Sequence, residues 1–174
     1  MKIKIYILTV LLLVCASLTG CSEKGEDVPA GMQRASDDYV DYDFYAPSSW
    51  LVGENDGCIN VRKSDSVLAN VSVMAARVDS DITDPASYWE KFKSDFEGAF
   101  TDFSLESDEA CLLDGHEAHR YVYTGKFSDV SAKYMQTVCV KGGAVYIVTY
   151  TASSEKYDEY LSDVEKMIEE FRFH

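Results

Sequence analysis

The strongest constraint on the fold is a pair of apolar segments, 132–141 and 144–152, separated only by Gly142-Gly143. Two glycines supply the positive φ angles that a two-residue hairpin loop requires. The segments are therefore predicted to form an antiparallel hairpin, in a register that places Cys139 opposite Tyr146.

In that register both faces of the hairpin are apolar. One face carries Val138, Val140, Val145 and Ile147. The other face carries Met135, Cys139, Tyr146, Val148 and Tyr150. A strand pair that is apolar on both sides needs cover on both sides. The sequence therefore predicts an α+β fold, in which a mainly antiparallel sheet lies between helical or loop layers.

Alternating apolar and polar residues, bounded by turn residues, predict five further strands. These strands cover residues 38–45, 58–63, 68–78, 103–113 and 116–124. The polar turn 64–66 joins the second and third of them, and Asp114-Gly115 joins the last two as a tight turn.

Two segments have the periodicity of amphipathic helices. The first is predicted to begin at Asp84-Pro85, where a side-chain acceptor precedes a proline. Its apolar stripe comprises Trp89, Phe92, Phe96 and Ala99. The second is predicted to begin at an N-cap, Ser153 or Ser154, and to lie on the sheet. Its apolar face comprises Tyr157, Tyr160, Leu161, Val164, Met167, Ile168 and Phe171.

The N-terminus has the pattern of a bacterial lipoprotein signal. Lys2 and Lys4 precede a short apolar run that ends in Leu18-Thr19-Gly20-Cys21, a lipobox. We expect residues 1–20 to be a signal peptide and Cys21 to be the acylated first residue of the mature chain. The predicted location is the extracytoplasmic face of the cell membrane, or the outer membrane in a Gram-negative organism.

A flexible tether is predicted after the lipid, at residues 21–37, followed by a folded domain at 38–174. Residues 22–36 are rich in Gly, Glu, Lys, Asp, Pro and Ser. Such a chain spans about 20 Å root-mean-square, enough to lift a domain off the lipid headgroups. Beyond Val14 no apolar stretch approaches the roughly 20 residues of a transmembrane helix.

The net charge excludes some partners. Removal of residues 1–20 takes away two lysines and no acids, so 14 Lys and Arg remain against 30 Asp and Glu, a net charge of −16. Phosphate-backbone recognition needs a basic face, so this charge argues against nucleic acid as a partner. It also argues against a second, polybasic contact with anionic lipid.

Neither the histidines nor the acids form a recognisable metal site. His116-Glu117-Ala118-His119 has its histidines three apart, whereas a zincin helix needs them four apart. On a strand these two histidines face opposite sides. A run of acids could bind calcium, but it lacks the central glycine of a calcium loop. This run comprises Asp37, Asp38, Asp41 and Asp43. No metal or cofactor is expected.

Three cysteines, Cys58, Cys111 and Cys139, remain after processing and acylation. At most one disulfide can form among them, and the spacing does not choose among the three possible pairings. The alternative is that all three are buried free thiols. A catalytic thiol would need an adjacent base, which the sequence does not indicate. Four aromatic residues could line a binding groove, although core packing is the preferred interpretation. They are Tyr39, Tyr42, Tyr45 and Trp50.

Three stretches carry a family resemblance. They are the turn Phe44–Trp50, the hairpin around Gly142-Gly143 ending at Tyr150, and the closing segment Met167–Phe173. Together they resemble the PsbP-like superfamily, in particular its bacterial DcrB-like lipoproteins. The family's final Ser-Phe is here Glu170-Phe171. The resemblance implies an α/β/α sandwich around an antiparallel sheet and no reaction, because characterised relatives act as assembly, docking or import factors. No functional residue carries over.

The sequence as a whole predicts a lipid-anchored, non-enzymatic binding or assembly module outside the cytoplasm, with a protein or small ligand as its partner. A solute-capture accessory of a transporter is one alternative. A small extracytoplasmic hydrolase or thiol enzyme is another.

Overall fold

The computed structural model describes residues 28–55 and 58–174. The predicted signal peptide, Cys21 and the first part of the tether lie outside the described residues. The strands are β1 (Met32–Arg34), β2 (Tyr42–Asp43), β3 (Tyr45–Pro47), β4 (Leu51–Asn55), β5 (Cys58–Ser64), β6 (Val67–Arg77), β7 (Thr101–Leu113), β8 (His116–Phe127), β9 (Val130–Lys141), β10 (Ala144–Ala152) and β11 (Arg172–Phe173). The helices are α1 (Pro85–Ala99) and α2 (Tyr157–Glu169). Neither described helix is long and apolar enough to span a bilayer.

A seven-stranded antiparallel sheet, in the order β4-β5-β6-β10-β9-β8-β7, forms the centre of the fold. The predicted hairpin register is confirmed, because Cys139 pairs with Tyr146 across β9 and β10. The two helices pack on opposite faces of the sheet. The predicted α+β sandwich around an antiparallel sheet is therefore confirmed.

Helix α2 and the segment 35–50 together cover one face of the sheet, which we call the α2 face. Tyr42 stacks on Phe171 at a ring-centroid distance of 5.1 Å. The indole N–H of Trp50 donates to Asp163 of α2 at 2.8 Å. Because loop residues and helix share the cover, the core on this face extends from Val61 on β5 to Leu113 on β7, and both residues are fully buried.

Helix α1 covers the opposite face, the α1 face, over β7, β8 and β9. Its start is confirmed at Asp84-Pro85, where Asp84 Oδ1 accepts the backbone N–H of Ser87 at 2.8 Å in a capping box. Trp89 stacks on Tyr121 of β8, with the ring centroids 3.9 Å apart. The helix therefore packs mainly on the β7 to β9 side of this face, although Tyr88 and Phe92 also line a cavity with Val145 of β10.

The N-terminal region differs from its prediction in two places. The single strand predicted at 38–45 is wrong, because residues 38–41 form turns before β2 and β3. Asp37 Oδ1 accepts the backbone N–H of Tyr39 at 2.8 Å, an Asx-type bond that turns the chain. The folded region also begins earlier than residue 38. Strand β1 lies within the predicted tether, and it pairs with β3.

The second helix begins later than predicted. Its N-cap is Lys156, not Ser153 or Ser154, and it has no side-chain cap. The Ser153 carbonyl accepts the N–H groups of Lys156 and Tyr157, both at 2.9 Å, in a turn that precedes the helix. Its predicted apolar face nevertheless lies against the sheet, with Val164 and Met167 fully buried.

The packing of α2 gives a stability prediction. Val164→Asp places a carboxylate in a fully buried site with no cation to pair with, which should lower the free energy of unfolding by about 3–5 kcal/mol or more. We expect the cooperative thermal transition to be lost. Ser162→Asp, on the exposed side of the same helix, is the control and should leave the melting temperature nearly unchanged. An unaltered transition in Val164→Asp would refute this packing.

Candidate functional site

On the α1 face, residues that pair across neighbouring strands form rows that run across the sheet. Two adjacent cross-strand rows change from aromatic to polar along their length. The first row contains Tyr121, Gln136, Thr149, Ser72, Asn60 and Gly53. The second contains Tyr123, Tyr134, Thr151, Asn70, Arg62 and Leu51. The aromatic ends lie beneath α1 and Phe100. The polar ends lie on β10, β6 and β5, where no described element covers them.

We call the polar part of these rows the open sheet face. It comprises Asn60, Arg62, Asn70, Ser72, Thr149 and Thr151. All six side chains are half-buried. The set contains no carboxylate, although the chain has 30 acidic residues. The side chains of Asn60, Asn70 and Ser72 make no hydrogen bond among the described residues. Arg62 is the one charged member of the set, and Asp65 beside it offsets its charge. The open sheet face is thus polar and nearly neutral, with donors and acceptors available to a ligand.

A shallow cavity of about 460 Å³ lies at the β5–β6 end of this face. Asn60, Arg62, Asn70 and the turn residues 64–66 contribute to its lining. Arg62 Nε donates to Asp65 Oδ1 at 2.8 Å. One terminal nitrogen of Arg62 stands 3.0 Å from where a Cβ would lie on Gly53. Glycine at position 53 therefore lets the guanidinium lie across β4.

Gln136 marks the boundary between the covered and the open halves of the α1 face. Its side chain is only 8% exposed, and its Nε2 donates to Thr149 Oγ1 at 3.3 Å. Its Oε1 is buried and has no partner among the described residues. Most buried side-chain oxygens in proteins are hydrogen-bonded, so this acceptor is unusual. The hydrogen bond between Gln136 and Thr149 thus links the covered half of the α1 face to the open sheet face.

A second cavity, of about 360 Å³, lies between α2 and strands β7 to β9. Arg120 donates two hydrogen bonds to Glu165 of α2, at 2.9 and 3.0 Å. Lys133 pairs with Glu106 at 2.8 Å and lies over the ring of Tyr157. Because both of its cations are paired and four acids line it, this cavity joins the helix to the sheet and offers no unpaired cation.

The two histidines of 116–119 lie on opposite sides of β8. His116 packs edge-on against Phe173, with 5.2 Å between ring centroids. His119 stacks on Tyr121 at 4.8 Å and pairs with Asp108. Among the described residues, no group of three or more His, Cys, Asp and Glu is placed to hold a metal. The strand interpretation of this segment is confirmed.

The acidic run does not converge on one point. Asp38 and Asp43 pair with Arg34 at 2.8 and 3.0 Å. Asp41 accepts the hydroxyl hydrogen of Tyr146 at 2.6 Å. Two of these carboxylates thus share Arg34, and the third binds a tyrosine on β10.

The cysteines are all free, so no described pair forms a disulfide. Cys111, Ala118 and Cys139 are consecutive in one cross-strand row, which puts the two sulfur-bearing residues about 10 Å apart at the backbone. A disulfide needs less than about 7 Å. Burial raises the pKa of the Cys139 thiol to about 11 and also raises the pKa of Cys111. Neither is an activated thiolate.

Of the four clustered aromatic residues, three belong to the interior. Tyr42, Tyr45 and Trp50 are buried, which confirms the core interpretation for them. Tyr39 is 97% exposed in the turn before β2 and does not share a groove with them.

The family model for PsbP matches residues 30–173, which is nearly the whole described chain. The chain belongs to the PsbP family. The sequence resemblance is thereby confirmed. No curated protein matches the PsbP-family chain in a sequence comparison.

Solved structures share this PsbP-family fold at low identity. Cyanobacterial PsbP (CyanoP) from Synechocystis sp. PCC 6803 aligns with a TM-score of 0.63 and 19% identity, over 90% of this chain and 99% of that one. LpqN, involved in cell envelope biogenesis of Mycobacterium tuberculosis, aligns with a TM-score of 0.57 and 13% identity, over 75% of this chain and 82% of that one. PA94 from Pseudomonas aeruginosa, of unknown function, aligns with a TM-score of 0.56 and 16% identity, over 78% of this chain and 92% of that one.

Sequence reasoning did not identify the open sheet face. The available signal was the alternation of Asn70 and Ser72 with the buried Val71 and Val73 on β6. Alternation predicts that one side of a strand is polar, but it does not show that other strands continue the same polar surface.

The burial of the thiols gives a labelling prediction. Under native conditions a maleimide should modify Cys58 first, because it is exposed, and Cys111 only slowly. Cys139 should react only after denaturation, because its thiol stays protonated and buried. Peptide mass spectrometry measures the order, and Cys58→Ser should remove the fast reaction. Cys139 or Cys111 reacting ahead of Cys58 would contradict this assignment and would favour a thiol enzyme.

Proposed function

We propose that this PsbP-family protein is a lipid-anchored, extracytoplasmic binding module without catalytic activity, and that the open sheet face receives its partner. The observation that carries the proposal is the open sheet face itself, a nearly neutral surface whose amide and hydroxyl groups are available to form hydrogen bonds with a partner. Membership of the PsbP family supports a non-catalytic role, as the resemblance in sequence implied.

The arrangement of nucleophiles and bases also supports a non-catalytic role. Nucleophilic catalysis needs a base within hydrogen-bond reach of the nucleophile and an orienting third group. The buried Cys139 has no hydrogen-bonded base among the described residues. The three described imidazoles have partners of their own: Phe173 for His116, Tyr121 with Asp108 for His119, and Asp43 for His174. The alternative of a hydrolase or thiol enzyme therefore has no support in this geometry.

The anchor follows from the lipobox at Leu18–Cys21. Because the folded region begins at β1, only residues 22–31 separate Cys21 from the domain. Ten residues reach at most about 35 Å when fully extended, so the domain would stay close to the headgroups. Two or more acyl chains make such attachment stable, because each buried methylene contributes about 0.8 kcal/mol.

The cavity on the open sheet face favours one second candidate, capture of a small solute for a transporter. Ligand pockets typically measure about 300–1,000 Å³, and this cavity of about 460 Å³ lies within that range. Its polar lining would suit a hydrogen-bonding solute rather than an apolar one.

Anchoring is tested by labelling cells with radioactive palmitate. The wild-type protein should incorporate label and fractionate with membranes, whereas Cys21→Ser should incorporate none. Cys58→Ser is the matched control and should be labelled like the wild type. Absence of label from the wild type, with protein shed into the medium, would overturn the anchor.

Binding at the open sheet face is tested by photo-crosslinking in cells. A benzophenone side chain at Ser72 should form a specific adduct, and one at Glu97, on the exposed side of α1, should not. Asn60→Asp with Asn70→Asp, which adds two charges with little change in shape, should reduce the Ser72 adduct about tenfold or more. Equal adducts at both probe positions, or an adduct insensitive to the two substitutions, would contradict this site.

A further inference from the structure

A pair of cations on the α2 face, Arg77 and Lys141, is not neutralised by any carboxylate of the described chain. Most lysine and arginine residues here lie within 4.0 Å of an acid, as expected in so acidic a protein. The exceptions among the described residues are Arg77, Lys93, Lys141 and Lys166. Of these four, Arg77 and Lys141 line the same cavity.

The strand pairing places these two cations on either side of a small residue. Ala144 on β10 pairs with Arg77 on β6 and with Lys141 on β9. The three residues therefore form one cross-strand row and project from the same face. At about 5 Å per strand, the two outer backbones are about 10 Å apart, so both long side chains can reach one group above Ala144.

The space between them is a basin of about 330 Å³ with a floor of small residues. Ala75, Ala76 and Gly142 line it together with Ala144. The backbone N–H of Val78 donates to the Gly143 carbonyl at 3.1 Å, which fixes the end of β6 against the β9–β10 turn. The relative position of Arg77 and Lys141 is thus determined by backbone structure.

The remaining groups of the basin leave it with an excess of positive charge. Lys141 Nζ lies 4.8 Å from the ring centroid of Phe173. Asp41 is the one acid that lines the basin, and it accepts the hydroxyl hydrogen of Tyr146 at 2.6 Å. Burial and Asp41 raise the pKa of Tyr146 to about 12, so the phenol remains a donor at neutral pH. Two cations therefore face one hydrogen-bonded carboxylate.

We propose that this basin binds a phosphate oxyanion, with Arg77 donating from its guanidinium and Lys141 from its ammonium. A guanidinium fork matches two oxygens of a phosphate, and an ammonium supplies a second point charge. Phosphate of this kind occurs both as a soluble ion and in lipid headgroups. The site is separate from the open sheet face and does not depend on the function proposed there.

The test is an NMR titration of the full chain in zwitterionic detergent micelles with inorganic phosphate at constant ionic strength. We expect saturable shifts at the amides of Arg77, Lys141, Gly142 and Ala144. Arg77→Gln with Lys141→Gln should weaken binding by about a hundredfold or more, since each lost charge-assisted bond weakens binding by about tenfold or more. Lys93→Gln with Lys166→Gln, which removes the two other unpaired cations, should bind like the wild type.

Two further variants protect the test against an effect on folding. Ala144→Glu keeps both cations but places a carboxylate between them, and it should abolish the shifts. Asp41→Asn removes the opposing charge, and it should bind phosphate more tightly than the wild type. Well-dispersed spectra of each variant would show that it folds.

A second titration distinguishes the source of the phosphate. If phosphatidylglycerol in the micelles competes with inorganic phosphate for the same amides, the ligand is a lipid headgroup. If it does not compete, the ligand is a soluble phosphate. Absence of saturation, or equal affinity in the wild type and the Arg77→Gln, Lys141→Gln variant, would overturn the proposal.

Discussion

The central sheet is too wide for one helix to cover on either face. Seven strands at about 4.8 Å spacing make a sheet about 29 Å across, whereas a helix with its side chains is about 10–12 Å in diameter. On the α2 face the segment 35–50 supplies the missing cover, so Trp50 and Phe44 join α2 in the core. On the α1 face the segment 78–84 adds only Val78 and Ile82, which pack with Val145 and Ile147, and the open sheet face lies beyond them. The sequence accommodates this asymmetry by placing polar residues where cover ends.

The asymmetry connects packing with binding. Tyr121 and Gln136 are buried in one cross-strand row, and three half-buried residues continue that row onto the open sheet face: Thr149, Ser72 and Asn60. The aromatic half stabilises the fold through contacts with α1. The polar half adds little to stability, so the residues at these positions can differ between family members that bind different partners. A fold shared by distant PsbP-family chains can thus carry different binding surfaces.

Local sequence signals predicted the elements whose structure depends on neighbouring residues. Gly142-Gly143 determined the register of β9 and β10, and the apolar periodicity around Val164 determined which side of α2 is buried. The predicted start of α2 was wrong because the Ser153 carbonyl accepts the N–H groups of Lys156 and Tyr157 in a turn, where the prediction had a serine side chain as the cap. Strand β1 was missed because three residues paired with β3 leave almost no periodic pattern. The proximity of Arg77 to Lys141 could not be predicted, because it arises from β6 pairing with β10 across the intervening α1, β7, β8 and β9.

The account depends most on the claim that half of the α1 face is uncovered, and a soluble paramagnetic relaxation agent measures this directly. The side-chain amide protons of Asn60 and Asn70 should relax strongly, whereas the indole N–H of Trp89, buried between α1 and the sheet, should be protected. Equal protection of the two asparagines and Trp89 would show that the face is covered, and would contradict the account.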